Sequence, residues 1–487
     1  MAKIGLHLDR TIKGYPKTPP FHPHKKYPEY LFNEELSKHN SVYDAVRNCF
    51  RLLELDGQRY GTADWNPFGA FVAPGSTVVI KPNFVFHSKE PQDQRRVDCT
   101  ITNGSVLRAV LDFTIIALKD SGEIIIADSP IEAADFDAIK SYTGLEVITD
   151  FLKHRSNVRI SFLDLRIRRA LKDKGGKVIG HTNLSGGPQG TIDIDMQNSS
   201  YLAELDESCP NYLTVADWRV NHEDPRDITK GLTNVYHNAR CHRYKVSKVF
   251  LQADTVISIS KLKTHKKAGV TLSLKNFVGI CSDKEYMPHH RGGPPPTGDS
   301  FPRYPKKIEL GINSFLNKLK YISPVRRFIS KYLKPLVYTF ASPETLLPIQ
   351  NGSWSGNDTL WRTILDLNTI VRRADSEGRI LGVVKRKFFF IVDGIIAGEG
   401  DGPLQNIAKP LGLVAASESS AALDWHLARL MGFDPERIPH VREAVKAENK
   451  LLDTGQDQQA EILSNVQECQ SINFKFRPAT GWKDTMR

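Results

Sequence analysis

Four short apolar runs end abruptly at charged or amide residues, and this pattern limits the fold more than any other feature. VVI at 78–80 runs into Lys81-Pro82-Asn83, and IIIA at 124–127 runs into Asp128-Ser129-Pro130. VISIS at 256–260 runs into Lys261-Leu262-Lys263-Thr264-His265, and FFFIV at 388–392 runs into Asp393-Gly394. Runs that are apolar, or broken only by small serines as in VISIS, suit strands covered on both faces. A helical pattern, GSVLRAVLDFTIIALKDSG at 104–122, separates the first two and is expected to end near Gly122. Strand, helix and strand with short joins build a parallel sheet. The expected class is α/β: a mostly parallel sheet flanked by helices, with α+β insertions.

At 487 residues the chain exceeds one ordinary core, so two or three domains, or one large domain with insertions, are expected. Residues 1–40 show little periodicity beyond KIGLHL and read as an N-terminal extension. Residues 41–440 read as the α/β domain, with inserted segments near 150–245 and 285–350, and 441–487 as a polar, peripheral tail. Within the domain, 41–55 has helical spacing with Ser41 as its cap. NVRISFLDLR, TIDIDMQ and 248–260 read as strands, 288–307 as a Pro/Gly-rich loop, and 412–432 as a strand and then a helix closing at Gly432.

In open α/β sheets ligands collect beyond the carboxyl ends of the strands. If the four runs are parallel neighbours, Lys81, Asp128, His265, Asp393 and Glu399 converge on one cleft. The segment KLKTHKKAGVTLSLKN at 261–276 places five lysines and a histidine directly after a buried strand, in a chain of formal net charge +11. Ammonium groups and hydroxyls among small residues suit a phosphate or carboxylate. Lys81, Lys261, Lys263, Thr264 and Lys275 are the candidate anion holders. Asn83, Asn276 and Asp128 would orient groups, and His265, Glu399 or Asp128 would move a proton. In DGIIAGEGDGP, Asp393, Glu399 and Asp401 offer hard oxygen ligands, so a divalent metal is a candidate cofactor, although the spacing matches neither a calcium loop nor a phosphate-binding lysine loop. Asn357 and Asp358 precede a helical pattern and read as caps or site residues.

Other classes lack support. The six cysteines form no CxxC pair, so no zinc ribbon or iron–sulfur cluster is expected. The cysteines read as reduced thiols in a cytoplasmic protein, since the first residues carry no apolar signal segment. No run of 18 apolar residues spans a membrane. The basic, apolar stretch 316–340 is a candidate for contact with an anionic membrane surface, which would make the protein membrane-peripheral. The positive charge permits nucleic-acid binding, but no reader motif or aromatic platform accompanies the lysines.

The stretches VVIKPNFV, ADSP, SISKLKTHKKAGVTLSLKNFVGI and VDGIIAGEGDGP together resemble the domain-of-unknown-function 362 family. The likeness continues through LGLVAASESSAALDWHLARLMGFDP, with an aspartate at 424 before the Met-Gly turn, and spans roughly 75–440. The resemblance implies an α/β domain in a cytoplasmic microbial protein, often in a surface-polysaccharide context. Some members carry a ferredoxin-like iron–sulfur module, which the scattered cysteines here do not match. The expected function is an enzyme acting on an anionic small molecule, phosphorylated or carboxylated and sugar- or lipid-linked. The alternative is a non-catalytic scaffold at the membrane surface in envelope polysaccharide assembly.

Overall fold

The computed structural model describes residues 1–32, 36–87, 93–173, 178–208, 210–214, 232–293, 295–300, 351–446 and 457–487. Nine strands form one mixed sheet: β1 (Lys3–Leu8), β2 (Thr77–Pro82), β3 (Glu123–Asp128), β4 (Arg159–Asp164), β5 (Thr255–His265), β6 (Gly269–Thr271), β7 (Lys387–Asp401), β8 (Gln405–Ser417) and β9 (Glu461–Ser464). Their order is β9-β1-β8-β7-β5-β2-β3-β4, with β6 paired to β5 off this path. The four runs singled out in the sequence are consecutive neighbours, β7-β5-β2-β3, and every pair among them is parallel. β8 returns antiparallel to β7, and β1 lies antiparallel to β8.

Alternation along these strands sends side chains to two buried faces. Val79, Ile125, Val256 and Val392 enter one core, while Val78, Ile80, Ile124, Ile257 and Phe389 enter the other. Neither face meets water, and even Ser258 and Ser260 of the third run are fully buried. Each buried aliphatic side chain contributes about 1.5–3 kcal/mol. Helices α1 (Ser41–Leu52) and α2 (Gly104–Leu118) cover the second core, with Phe50 and Phe113 inside it. Short α3 (Ser273–Asn276), α4 (Leu360–Arg373), α5 (Ser420–Met431) and α6 (Pro439–Ala444) cover the first.

Several boundaries differ from the sequence expectation, each for a local reason. Asn40, not Ser41, caps α1, because its side-chain oxygen accepts the Tyr43 N–H at 3.2 Å. α2 stops at Leu118, where Lys119 turns left-handed at φ 51°, short of Gly122. Within 248–260 a helical turn, Lys248–Leu251, precedes the strand. β5 then continues through the lysines to His265, because β7 on one side and β6 on the other satisfy its backbone. Likewise GIIAGEGD is strand rather than glycine turn: Glu399 pairs with Ile407 and Gly400 with Asn406. The expected strand and helix at 412–432 are present, and α5 closes at Gly432 with φ 101°. TIDIDMQ contributes Thr191–Asp195, antiparallel to Cys241–Ser247.

Both ends of the chain enter the sheet. β1 lies between β8 and β9, so 1–40 and 441–487 each supply a strand to it. The last segment also buries Trp482, whose indole N–H donates to the Lys266 carbonyl at 2.8 Å. The basic stretch 316–340 lies outside the described residues. No helix among the described residues is long and apolar enough to cross a membrane.

Candidate functional site

Lys81 and Asp128 end adjacent parallel strands, and the register brings them together. Lys81 Nζ lies 2.8 Å from Asp128 Oδ1, and both side chains are buried. Burial lowers the Lys81 ammonium, and Asp128 works in the opposite direction. Asp128 also accepts the Phe84 and Ser129 N–H groups, each at 2.7 Å. Asn276 donates to the Lys81 carbonyl at 3.0 Å and to Ser258 Oγ at 2.9 Å, and accepts from Asn83 Nδ2 at 3.1 Å. The expected orienting residues therefore form one hydrogen-bonded frame, which ties α3 to β2 and β5.

Lys261 and Asp393 form a second, separate pair. They are direct cross-strand partners with Nζ 3.0 Å from Oδ2, and neither is exposed. The Tyr15 hydroxyl donates to Asp393 Oδ1 at 2.6 Å and accepts from Lys261 Nζ at 2.6 Å. The backbone N–H of Asn103, cap of α2, also points at this carboxylate, at 3.1 Å. This set is neutralised and sealed, so it holds the strands together and presents nothing to a ligand.

The cations left over are the informative ones. Lys263 Nζ donates to the Thr100 carbonyl and has no carboxylate partner among the described residues. Burial, then Lys275, push its pKa well down. His265 Nδ1 accepts the N–H groups of Lys267 at 3.1 Å and Ala268 at 3.2 Å, so its proton sits on Nε2. Burial and the surrounding Lys275, Lys263, His289 and Lys266 keep this imidazole neutral. Lys267 reaches the Asn351 carbonyl and His290 Nδ1, and burial lowers it to about 7. Lys284 is held by Ser129 and the Cys281 carbonyl rather than by an acid. Lys275 makes no side-chain hydrogen bond or ion pair among the described residues, and burial, Lys284 and Lys81 lower it to about 8. Five lysines therefore surround His265, His289 and His290, while the nearby Asp128 is committed to Lys81.

The remaining expected residues lie elsewhere in the network. Thr264 Oγ1 donates to the Gly400 carbonyl at 2.6 Å, joining β5 to β7. Glu399 pairs with Lys409 at 2.9 Å and accepts the Arg477 N–H at 3.0 Å. Asp401 accepts from the Thr480 backbone at 2.8 Å. Asp393, Glu399 and Asp401 thus answer three different partners, and no group of three or more His, Cys, Asp or Glu among the described residues is arranged around a metal. Their spacing along an extended strand, rather than a tight turn, separates them. Thr359, not Asn357, is the N-cap of α4; Asn357, two residues before it, accepts from Leu360 N at 2.9 Å, and Asp358 pairs with Arg291 and Arg362.

Lys284, His289, His290, Tyr15 and His440 were not among the residues expected at the site, and Lys267 was counted only as one of the five lysines in 261–276. The signal for His289 and His290 was a histidine pair in a Pro/Gly-rich stretch; in the structure His290 pairs with Leu213 in a two-stranded ladder and both histidines are buried. Tyr15 carried no signal, because its partner lies 378 residues away. Asp424 accepts the N–H groups of Ser273 and Leu274 at 2.8 Å each and so fixes the start of α3, two residues before Lys275.

No curated protein matches the chain. A crystal structure of a Thermotoga maritima protein from a structural genomics programme aligns over 77% of this chain and 55% of its own, with 11% identity and a TM-score of 0.31. The chain therefore spans little more than half the length of that protein. The family model for a domain of unknown function, DUF362, matches residues 199–429, which contain the lysine segment, α4, β7, β8 and most of α5. Over residues 199–429 the chain is similar to the DUF362 family.

Proposed function

We propose that the chain is an enzyme that binds an anionic small molecule at the cluster of Lys263, His265, Lys275 and Lys284. One observation supports this reading above the rest: buried and half-buried cations outnumber nearby acids, and Lys275 has no partner among the described residues. Burying an uncompensated ammonium costs several kcal/mol, and a bound anion removes that cost. The neutral His265 would donate Nε2–H to the same anion. A phosphorylated or carboxylated sugar suits the donors, because phosphate or carboxylate takes the ammonium groups and hydroxyls can meet Asn83, whose Oδ1 is buried without a hydrogen-bond partner among the described residues.

Inorganic phosphate is the first probe. It should raise the thermal midpoint of the intact protein, and Lys275→Ala should remove most of that rise. No shift with phosphate, sulfate or citrate at millimolar concentrations would end the proposal. A phosphate on a lipid headgroup offers the same chemistry, as does the alternative role at the membrane surface. Sedimentation with anionic vesicles, with and without 316–340, separates a soluble ligand from a bilayer.

A further inference from the structure

We propose that Lys275 is a nucleophile that forms an imine with the carbonyl carbon of an anionic ligand, a reading that rests on the anion site proposed above. The side chain stands apart from the other buried and half-buried cations of the cluster; Lys266 lies exposed outside it. Lys81 is tied to Asp128, Lys261 to Asp393, Lys263 to the Thr100 carbonyl, Lys267 to Asn351 and Lys284 to Ser129. Among the described residues Lys275 Nζ has no hydrogen-bond or ion-pair partner, and the side chain is partly open to solvent. No carboxylate holds its proton in place. The charged or titratable groups that act on it or feel it are Lys81 on β2, Lys263 and His265 on β5, Lys284, His289 and His440 on α6.

Its backbone is held rigidly. Asp424 binds the two N–H groups before it, and Asn276, directly after it, is locked to Lys81 and Ser258. An amine attacks a carbonyl only when unprotonated, and neighbouring cations are a known way of keeping it so. With Lys275 lowered to about 8, roughly a tenth is neutral at pH 7, against a few parts in ten thousand for an ordinary lysine. The step balances without a redox partner. The Nζ lone pair forms the C–N bond while the carbonyl π pair moves to oxygen. Protons pass from nitrogen to that oxygen, and water leaves as the C=N bond forms.

The test uses the intact protein and pyridoxal 5′-phosphate, an aldehyde carrying a phosphate, as probe, with borohydride reduction and peptide mapping. Lys275 should be the principal labelled residue, and pyridoxal without the phosphate should label it at least about tenfold less. Labelling should follow an ionisation near 8 rather than 10.5. Lys275→Arg keeps the charge, so phosphate should still bind while the label disappears. Label spread over surface lysines with Lys275 unmodified overturns the imine. If phosphate still stabilises the protein in that case, the anion site survives without it. If phosphate does not bind either, the anion site has failed first.

Discussion

Gly279 packs so tightly over the Lys81–Asp128 pair that a Cβ at this position would lie 2.1 Å from Asp128 Oδ1 and 2.7 Å from Lys81 Nζ. Its carbonyl also accepts the Ser129 N–H at 2.9 Å, so the loop cannot drift away without losing that bond. Gly279→Ala should therefore destabilise the fold by about 1–3 kcal/mol through overpacking, and more if the ion pair opens. Thermal and urea unfolding measure it. An alanine variant as stable as the parent would mean that the loop sits further from the pair.

Lys261, Asp393 and Tyr15 form the sealed network between β5 and β7. Removing one charge leaves the other buried and unpaired, which costs about 3–5 kcal/mol. Asp393→Ala should show this loss in urea unfolding. The double change Asp393→Leu with Lys261→Met should recover much of it, since no stranded charge remains. Tyr15→Phe should cost about 1 kcal/mol. Equal losses in the single and double variants would show that the pair is not what matters.

Lys267, at about 7, and Lys275, at about 8, lie below the ordinary lysine value of 10.5. Between those values and 10.5 the unfolded chain holds protons that the folded chain has released. The stability of the ligand-free protein should therefore rise with pH from about 7 toward 10.5, and the penalty should be fully present below about 7. The measurement is urea unfolding across this range, taken as the difference between the parent and Lys267→Met so that tyrosine and cysteine contributions cancel. That difference should shrink as pH rises. A difference independent of pH would contradict the assignment.

Asp424 anchors α3 by accepting the Ser273 and Leu274 N–H groups, and burial raises its own pKa to about 7. Asp424→Ala leaves two buried donors unpaired, at about 1–3 kcal/mol each. It should also weaken phosphate stabilisation, because Lys275 loses its support. Asp424→Asn keeps one acceptor and should fall between the two. The parent carboxyl is raised above its unfolded value of 3.8, so its contribution to stability is present below that value and is lost as pH climbs from 3.8 through about 7. Unfolding measured at pH 4 and pH 7, parent against Asp424→Asn, checks the sign.

The parallel strands were legible because their apolar runs stop at charges, and strand-end residues such as Lys81 and Asp128 must then meet if the strands are neighbours. The extent of β5 and β7 was not legible. Lysines and glycines have little strand preference, and they extend here only because flanking strands take up their backbone groups. The division of the lysines into neutralised and unpartnered ones was equally hidden. Lys261 and Lys263 look alike in sequence, yet one faces Asp393 and the other a carbonyl. The contributions of Tyr15, Trp482 and His440 come from segments far along the chain, and no local pattern reports such contacts.

Trp482 closes over the lysine segment: a Cβ on Gly269 would lie 2.8 Å from its ring, and its N–H holds Lys266. Tyr15 reaches the same strand from the opposite end of the chain. Translation therefore cannot deliver the finished lysine cluster in stages. The lysines emerge midway through synthesis and stay without their indole cover until residues more than two hundred positions later have left the ribosome and docked.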